Sequence, residues 1–399
     1  MRVCMVTYSF YESDSRVIQY ARALVQRGET VDVIALRRSG APRFEVLDGV
    51  NVYRIQDRKM NESGPLSYLY RICRFLFLST FRVTLKHLKH PYTLVHVHSV
   101  PDFLVFSALP ARILGARVIL DIHDILPEFY ASKFGTETDS LLYGMLLMVE
   151  RLSARMANHV IVANDLWHER LIHRATRAGK CTVTCNYPNP EIFHRPNTVV
   201  RNGHFVLMYP GSLNWHQGVD VAIRAFAKVK DEIPDTIFRI FGEGPEKPRL
   251  NTLIQQLHLE DRVTISDYLP VDKIAAEMAA ADLAVVPKRA SSPFGNEAAS
   301  TKTQEFMALG VPVVISRTRI DSCHFDDSNV RFFRSEDEAD LANCILALKC
   351  HPELRAKLVA NATAYIHENN WNVKKHEYLN LVDCLTARQG ERKHVSAAA

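Results

Sequence analysis

The sequence predicts an α/β protein of two doubly wound, Rossmann-like domains, each built on a parallel sheet. Three observations predict it. Short apolar strand signals alternate with amphipathic helical runs from the first residues, the pattern of a sheet covered on both faces. The alternation stops at NYPNPEIFHRPN, residues 186–197, where three prolines fall within twelve residues, and then restarts. The length of 399 residues is long for one core and comfortable for two. A hydrophobic fraction of 47% beside 23% charged residues excludes a disordered chain and a coiled coil. The net charge of +5 is mild, so local basic patches matter more than the total. Eight cysteines include no CxxC spacing, which argues against a zinc ribbon or a thioredoxin site and for a reduced, cytoplasmic chain. Met1-Arg2 runs directly into VCMVTY without a signal peptide, and no run of about 18 uncharged apolar residues could span a bilayer.

In the first domain, residues 1–190, Arg2 to Thr7 reads as a strand, Arg16 to Arg27 as a helix closed by Gly28, and Thr30 to Ala35 as the second strand. The loop Tyr8 to Ser15 follows the carboxyl end of the first strand, where open α/β sheets bind ligands. It offers Ser9 and Asp14, with Arg16 just beyond; capping of the helix is an equal role for Asp14. Leu94 to His98 is a strand whose His96 and His98 share one face. Such an HxH pair invites a metal, but no carboxylate or cysteine stands nearby at ligand spacing, so polar core or substrate contact is the reading and no metal is expected. Arg117 to Ile122 leads into His123-Asp124, and Phe129 to Asp139 reads as a loop over the cleft. A helix (Asp139 to Ala157), a strand (His159 to Ala163), a helix (Asn164 to Thr176) and Cys181 to Cys185 complete the domain.

The second domain, residues 204–370, opens with the strand Phe205 to Tyr209 and the turn PGSLNWHQG, which includes Gly211, Ser212 and Gln217. Thr236 to Phe241 ends in Gly242-Glu243-Gly244-Pro245. This fails as a dinucleotide fingerprint, because Lys247 stands where the third glycine belongs. Asp282 to Pro287 is a strand, and Val330 to Phe333, Glu336 to Lys349 and Pro352 to Asn369 follow. Residues 388–399 are polar and alanine-ended, and read as a disordered tail.

The densest stretch runs from Ser292 to Ser316. Ser300-Thr301 opens a helical run whose free N–H groups and positive dipole end favour phosphate oxygens, and Lys302 adds a charge. Glu305, one turn in, would repel phosphate; it suits a neutral diol such as a ribose. Glu297 stands ahead of it with seven residues between them, where further sugar hydroxyls would sit.

FGNEAASTKTQEFMALGVPVV resembles the Glu-x7-Glu region of retaining glycosyltransferases of the GT-B fold, family 4, and the resemblance extends in order over nearly the whole chain. It implies two Rossmann-like domains facing across a cleft, with the helix 371–387 returning to the first. It implies that Glu305 holds the nucleotide ribose, that Glu297 faces the transferred sugar and the diphosphate, and that His123 reaches the donor sugar; Asp124 would then orient His123, with capping of the next turn an equal role. Ser9, Asp14 and Arg16, like the Asp-x-Arg subset, and His98 would lie on the acceptor side. Gly211, Gly242 and the loop Asp267 to Pro270, with Leu269, would flank the nucleotide. Many relatives carry two cations where Ser212 and Gln217 stand. Neutral groups cannot neutralise a diphosphate, so Lys288, Arg289 and Lys302 are expected to supply the charge.

The expected reaction is transfer from a nucleotide diphosphate sugar to a hydroxyl of a lipid-linked or growing saccharide in cell-surface polysaccharide synthesis, with retention and without a metal or other cofactor. A nucleotide-sugar epimerase, which needs no acceptor, and a non-catalytic nucleotide-sugar sensor are the rivals. Ser67 to His90 contains no acidic residue. At helical spacing Arg71, Arg74, Arg82, Lys86 and Lys89 fall within an arc of roughly 120°, with Tyr70, Phe77 and Phe81 toward the other side. This predicts a peripheral enzyme on an anionic membrane surface, with a packed helix as the alternative, and no nucleic-acid partner.

Overall fold

The computed structural model describes residues 1–58, 65–128, 130, 140–196 and 203–396. The loop expected over 129–139 lies outside the described residues except for Tyr130, as do residues 397–399 of the tail. The chain divides into two units, Met1–Asn186 with Lys374–Ala399, and Tyr187–Val373.

The first unit contains β1 (Arg2–Thr7), α1 (Ser15–Gln26), β2 (Thr30–Arg37), β3 (Phe44–Leu47), β4 (Val50–Asp57), α2 (Pro65–Lys89) and β5 (Leu94–His98). A 3-10 helix (Asp102–Ala108), α3 (Leu109–Ile113), β6 (Arg117–Ile122), α4 (Leu141–Met156), β7 (His159–Val162), α5 (Asp165–Arg174) and β8 (Cys181–Val183) follow. The eight strands lie in the order β3-β4-β2-β1-β5-β6-β7-β8. β1 pairs in parallel with β2 on one side (Val3 level with Val31) and β5 on the other (Val3 level with Leu94). Every residue of β5 and β7 is buried, as expected where helices cover both faces. β3 and β4, absent from the sequence reading, form an antiparallel hairpin at the edge. Asp48 and Gly49 both take positive φ in its two-residue turn, the geometry that matches strand twist.

The second unit contains β9 (Phe205–Pro210), α6 (Val219–Val229), β10 (Thr236–Phe241), α7 (Lys247–Gln256), β11 (Val263–Ser266), α8 (Val271–Ala279) and β12 (Leu283–Val286). Two short helices, α9 (Pro293–Glu297) and α10 (Thr301–Ala308), precede β13 (Val313–Ser316), α11 (Arg319–His324), β14 (Arg331–Phe333), α12 (Glu338–Cys350) and α13 (Pro352–Glu368). The order β11-β10-β9-β12-β13-β14, with all pairs parallel, is that of a nucleotide-binding doubly wound sheet. Alternate residues of β9 feed two cores: Leu207 and Tyr209 pack with Phe226, Phe238 and Ile240 on one face, and Met208 packs with Val286, Phe306 and Ile315 on the other. In both sheets the order reverses beside the first strand, between β1 and β5 and between β9 and β12. Those switch points open a crevice at the carboxyl ends.

The last helix, α14 (Trp371–Ser396), continues past 388, where the polar tail was expected to begin. Its buried Tyr378 packs 4.2 Å from the Tyr20 ring, its hydroxyl lies 3.1 Å from His96 Nδ1, and Asp383 pairs with Arg27 at 2.9 Å.

Candidate functional site

At the switch point of the second unit, the turns after β9 and β10 touch backbone to backbone. A Cβ on Gly242 would stand 1.8 Å from the Gly211 carbonyl oxygen, and one on Gly218, at φ 66°, 2.0 Å from that of Pro287. Only glycine fits either contact. Over Gly211 lies the side chain of Lys302, from the first turn of α10. Its ammonium donates to Gln217 Oε1 at 3.3 Å, lies 3.5 Å from Ser300 Oγ and sits 5.2 Å above the Tyr209 ring. The Tyr209 hydroxyl is 3.2 Å from the same Gln217 oxygen and 3.0 Å from the Ser212 carbonyl. Gln217 therefore orients the lysine. Ser212 is exposed.

Lys288 and Arg289 are placed differently from the expectation that they supply charge. Both are buried and already paired, because carboxylates distant in sequence fold onto them. Lys288 Nζ binds Asp321 at 2.7 Å and donates to the Ala298 carbonyl at 2.7 Å. Arg289 binds both oxygens of Asp220 at 2.7 Å and Glu336 at 3.0 Å, and lies 4.8 Å over Trp215. The two cations brace the segment joining β12 to α9.

Glu297 ends α9, buried, with Arg319 at 3.6 Å. Glu305 is half-buried in α10; burial pushes its carboxyl up to about 7, against the pull of Lys302 and the Thr301 hydroxyl. Burial likewise pushes the Lys302 ammonium down to about 8, with Glu305 opposing and Lys288 adding to the shift. His216, beside them, is pushed down to about 4 by burial and the two lysines. Leu269 packs against the core face that holds Phe241.

In the first unit the centre of the crevice is Asp121 of β6, which the sequence reading did not single out. An aspartate inside the apolar run RVILDI was the available signal. Arg16 donates to its two oxygens at 2.8 and 2.7 Å, and also reaches the Thr184 carbonyl and Asn186 Oδ1 at 2.8 Å. The guanidinium is thus buried and spent on the fold rather than offered to an acceptor. Asp121 Oδ2 lies 3.2 Å from both His98 Nδ1 and His123 Nε2, which are 3.3 Å apart. Asp121, rather than Asp124, orients His123. Burial alone would lower the His123 imidazole, but the Asp121 charge and hydrogen bond outweigh it and raise it. Burial keeps His96 and His98 below the usual imidazole range. Despite its own burial, Asp121 is held well below the carboxylate range by Arg16 and His123.

Ser9 Oγ donates to Asp14 Oδ2 at 2.7 Å and lies 2.7 Å from Thr7 Oγ1, while the other Asp14 oxygen caps α1 at Val17 N. A carboxylate does stand near the HxH pair after all. His96, His98 and Asp121 bring ligand atoms within 4.8 Å of one another. Arg16 already occupies both Asp121 oxygens, however, and its positive charge would face any cation seated there.

Along α2, Ile72, Phe75 and Val83 are buried, and the arc opposite them is exposed. Tyr70, Phe77 and Phe81 lie on that exposed arc. Arg74, Arg82 and Lys89 are exposed and Arg71 is half-buried. Lys86 turns inward, pairing with Asp32 at 3.1 Å and lying 3.7 Å over the Tyr53 ring. No helix among the described residues is long and apolar enough to cross a membrane.

Residues 191–365 match the family of glycosyl transferases group 1, and residues 14–187 the glycosyl transferase 4-like domain. Over 274 residues the chain is 23% identical to a phosphatidylinositol N-acetylglucosaminyltransferase subunit of Homo sapiens, covering 66% of this chain and 52% of that protein. It therefore spans about half the length of that relative. The Anabaena protein HepE in complex with UDP-glucose superposes with a TM-score of 0.71 at 18% identity, over 96% of this chain and 100% of HepE. WaaG, a glycosyltransferase involved in lipopolysaccharide biosynthesis, gives 0.70 at 15% identity over 96% of this chain and 99% of its own. At these identities the two structures speak for the fold.

Proposed function

Because the chain belongs to the family-4-type glycosyltransferases of the GT-B fold, we propose that it moves a hexosyl or N-acetylhexosaminyl group from a nucleotide diphosphate sugar to a saccharide hydroxyl, with retention. The observation that carries this reading is the Lys302–Glu305 turn over Gly211, a cation and an acceptor side by side at the switch point of the second sheet. Lys302 and the N–H groups opening α10 take the diphosphate, Ser212 adds a hydroxyl, and Glu305 takes the ribose. Glu297 grips the transferred sugar, and the work is positioning and stabilisation of charge on the leaving diphosphate. No residue in this scheme calls for a divalent ion.

The acceptor is proposed to be lipid-linked or a growing saccharide of exopolysaccharide, capsule or O-antigen, met at the cytoplasmic face of the membrane. The phospholipid in the name of the human relative and the involvement of WaaG in lipopolysaccharide biosynthesis support that choice. The test is a thermal-shift panel of nucleotide sugars followed by product analysis with a lipid-linked saccharide. The reading expects one donor to stabilise the chain and the product to keep the donor's anomeric configuration. Donor consumption without any acceptor would point to an epimerase, and donor binding without turnover to a sensor.

A further inference from the structure

Most of the large apolar side chains that the described residues leave exposed lie on three helices of the first unit, α2, α3 and α4. All three pack on the same 3-10 helix, Asp102–Ala108. On α4, Leu141, Met145, Met148 and Leu152 recur at i, i+4, i+7 and i+11, a single stripe, and Met145 and Met148 are 58% and 61% exposed. On α2, Phe77 and Phe81 are 73% and 64% exposed, and at the end of α3 Ile113 is 76% exposed. Patches of this kind on a water-facing protein mark an interaction surface.

Charge decides what covers it. Neither α2 nor α3 contains a carboxylate, and α4 has one, Glu150, which is buried and bound by Arg174 at 2.5 Å. Arg74, Arg82 and Lys89 flank the α2 stripe, and Arg151 and Arg155 the α4 stripe; all five are exposed. A second copy meeting this face through a two-fold axis would set cations against cations. Apolar side chains rimmed by cations, with no exposed acid on these three helices among the described residues, match a phospholipid surface with anionic headgroups.

We propose that α2, α3 and α4 form one membrane-docking face, in which the methionine stripe of α4 enters the acyl boundary beside the aromatic stripe of α2. The proposal rests on the lipid-linked acceptor reading for its purpose, but its geometry stands without it. The basic residues draw the face to the bilayer, and the apolar stripes hold it there when salt screens the charge.

The test uses the full chain with a Met148→Trp reporter, read as a difference from the parent, and vesicles of phosphatidylcholine with or without phosphatidylglycerol. With phosphatidylglycerol present the added emission shifts to the blue and is quenched by brominated acyl chains. Met145→Glu with Met148→Glu lowers vesicle partition by about tenfold or more, as does Phe77→Glu with Phe81→Glu. Unchanged emission with both vesicles overturns the proposal. So does partition insensitive to the α4 pair, which would leave α2 docking alone, or loss of a dimer by light scattering in variants whose parent ignores vesicles. Thermal shift by UDP-glucose and other nucleotide sugars, run on the same proteins, reports on the donor site separately. Vesicle binding without any donor shift removes the transferase reading and leaves the docking face standing.

Discussion

Lys302 and Glu305 titrate toward each other across neutral pH. Glu305 gives up its proton near 7 and Lys302 keeps its own to about 8, so between those values both carry the charges that the proposed ribose and diphosphate contacts call for. Donor affinity is expected to peak there, falling on the acid side as Glu305 protonates and on the alkaline side as Lys302 loses its proton. Calorimetric titration across pH checks it: Glu305→Gln should remove the acid limb and Lys302→Arg the alkaline one. Lys302→Ala should weaken donor binding by about 10- to 100-fold, the worth of one hydrogen bond to a charged group. On the proposed roles, Glu305→Ala should weaken donor binding, whereas Glu297→Gln should chiefly lower kcat, because a ribose held by Glu305 would be gripped alike in ground and transition states. A Glu305→Ala protein that binds donor as the parent does would remove the ribose assignment. The sequence points to Lys302 and Glu305 because both lie within one turn of one helix. It misplaces Lys288 and Arg289 because Asp220 lies 69 residues from the arginine it neutralises. Pairing across such distances leaves no local pattern.

Among the elements, β6 and α1 are joined by the buried Arg16–Asp121 pair, and that pair governs His123. The His123 imidazole is raised above its usual value of 6.5. Its contact with Asp121 therefore contributes stability in full below pH 6.5 and loses it as pH rises through the higher folded value. Asp121→Asn should move the His123 titration, followed by NMR, to lower pH. Arg16→Met, which strands the Asp121 charge, should cost about 3–5 kcal/mol in urea unfolding. Transfer should survive a chelator, since the Asp121 oxygens are already held; complete loss with EDTA and rescue by manganese would make His96, His98 and Asp121 ligands. Most strands are legible because buried parallel strands read as unbroken apolar runs. The β3–β4 hairpin escapes that pattern although Asp48-Gly49 is a hairpin turn signal. For α2 the periodicity marks a basic arc and an aromatic arc, but not which arc the sheet buries, since the packed arc, Ile72 to Val83, lies between polar neighbours.

At the scale of the whole molecule, the first unit is assembled from two separate stretches, and Tyr378 is the side chain that closes it on Tyr20 and His96. Tyr378→Ala should destabilise that unit by about 3 kcal/mol, the usual range for truncating a buried aromatic. Differential scanning calorimetry should show the transition of the first unit shifted down and that of the second unchanged; a shift of both together would mean that the units unfold as one.

That arrangement also sets the order in which a ribosome can deliver the two units. Residues 187–373 are made as one uninterrupted stretch, so every part of the second unit is in the chain before the segment after Lys374 is added. The first unit, though synthesised first, waits for the segment after Lys374, and until then the face around Tyr20 and His96 stands open on the nascent chain. Of the two units, the one begun earlier is thus completed later, and a chaperone has the longer time to act on it.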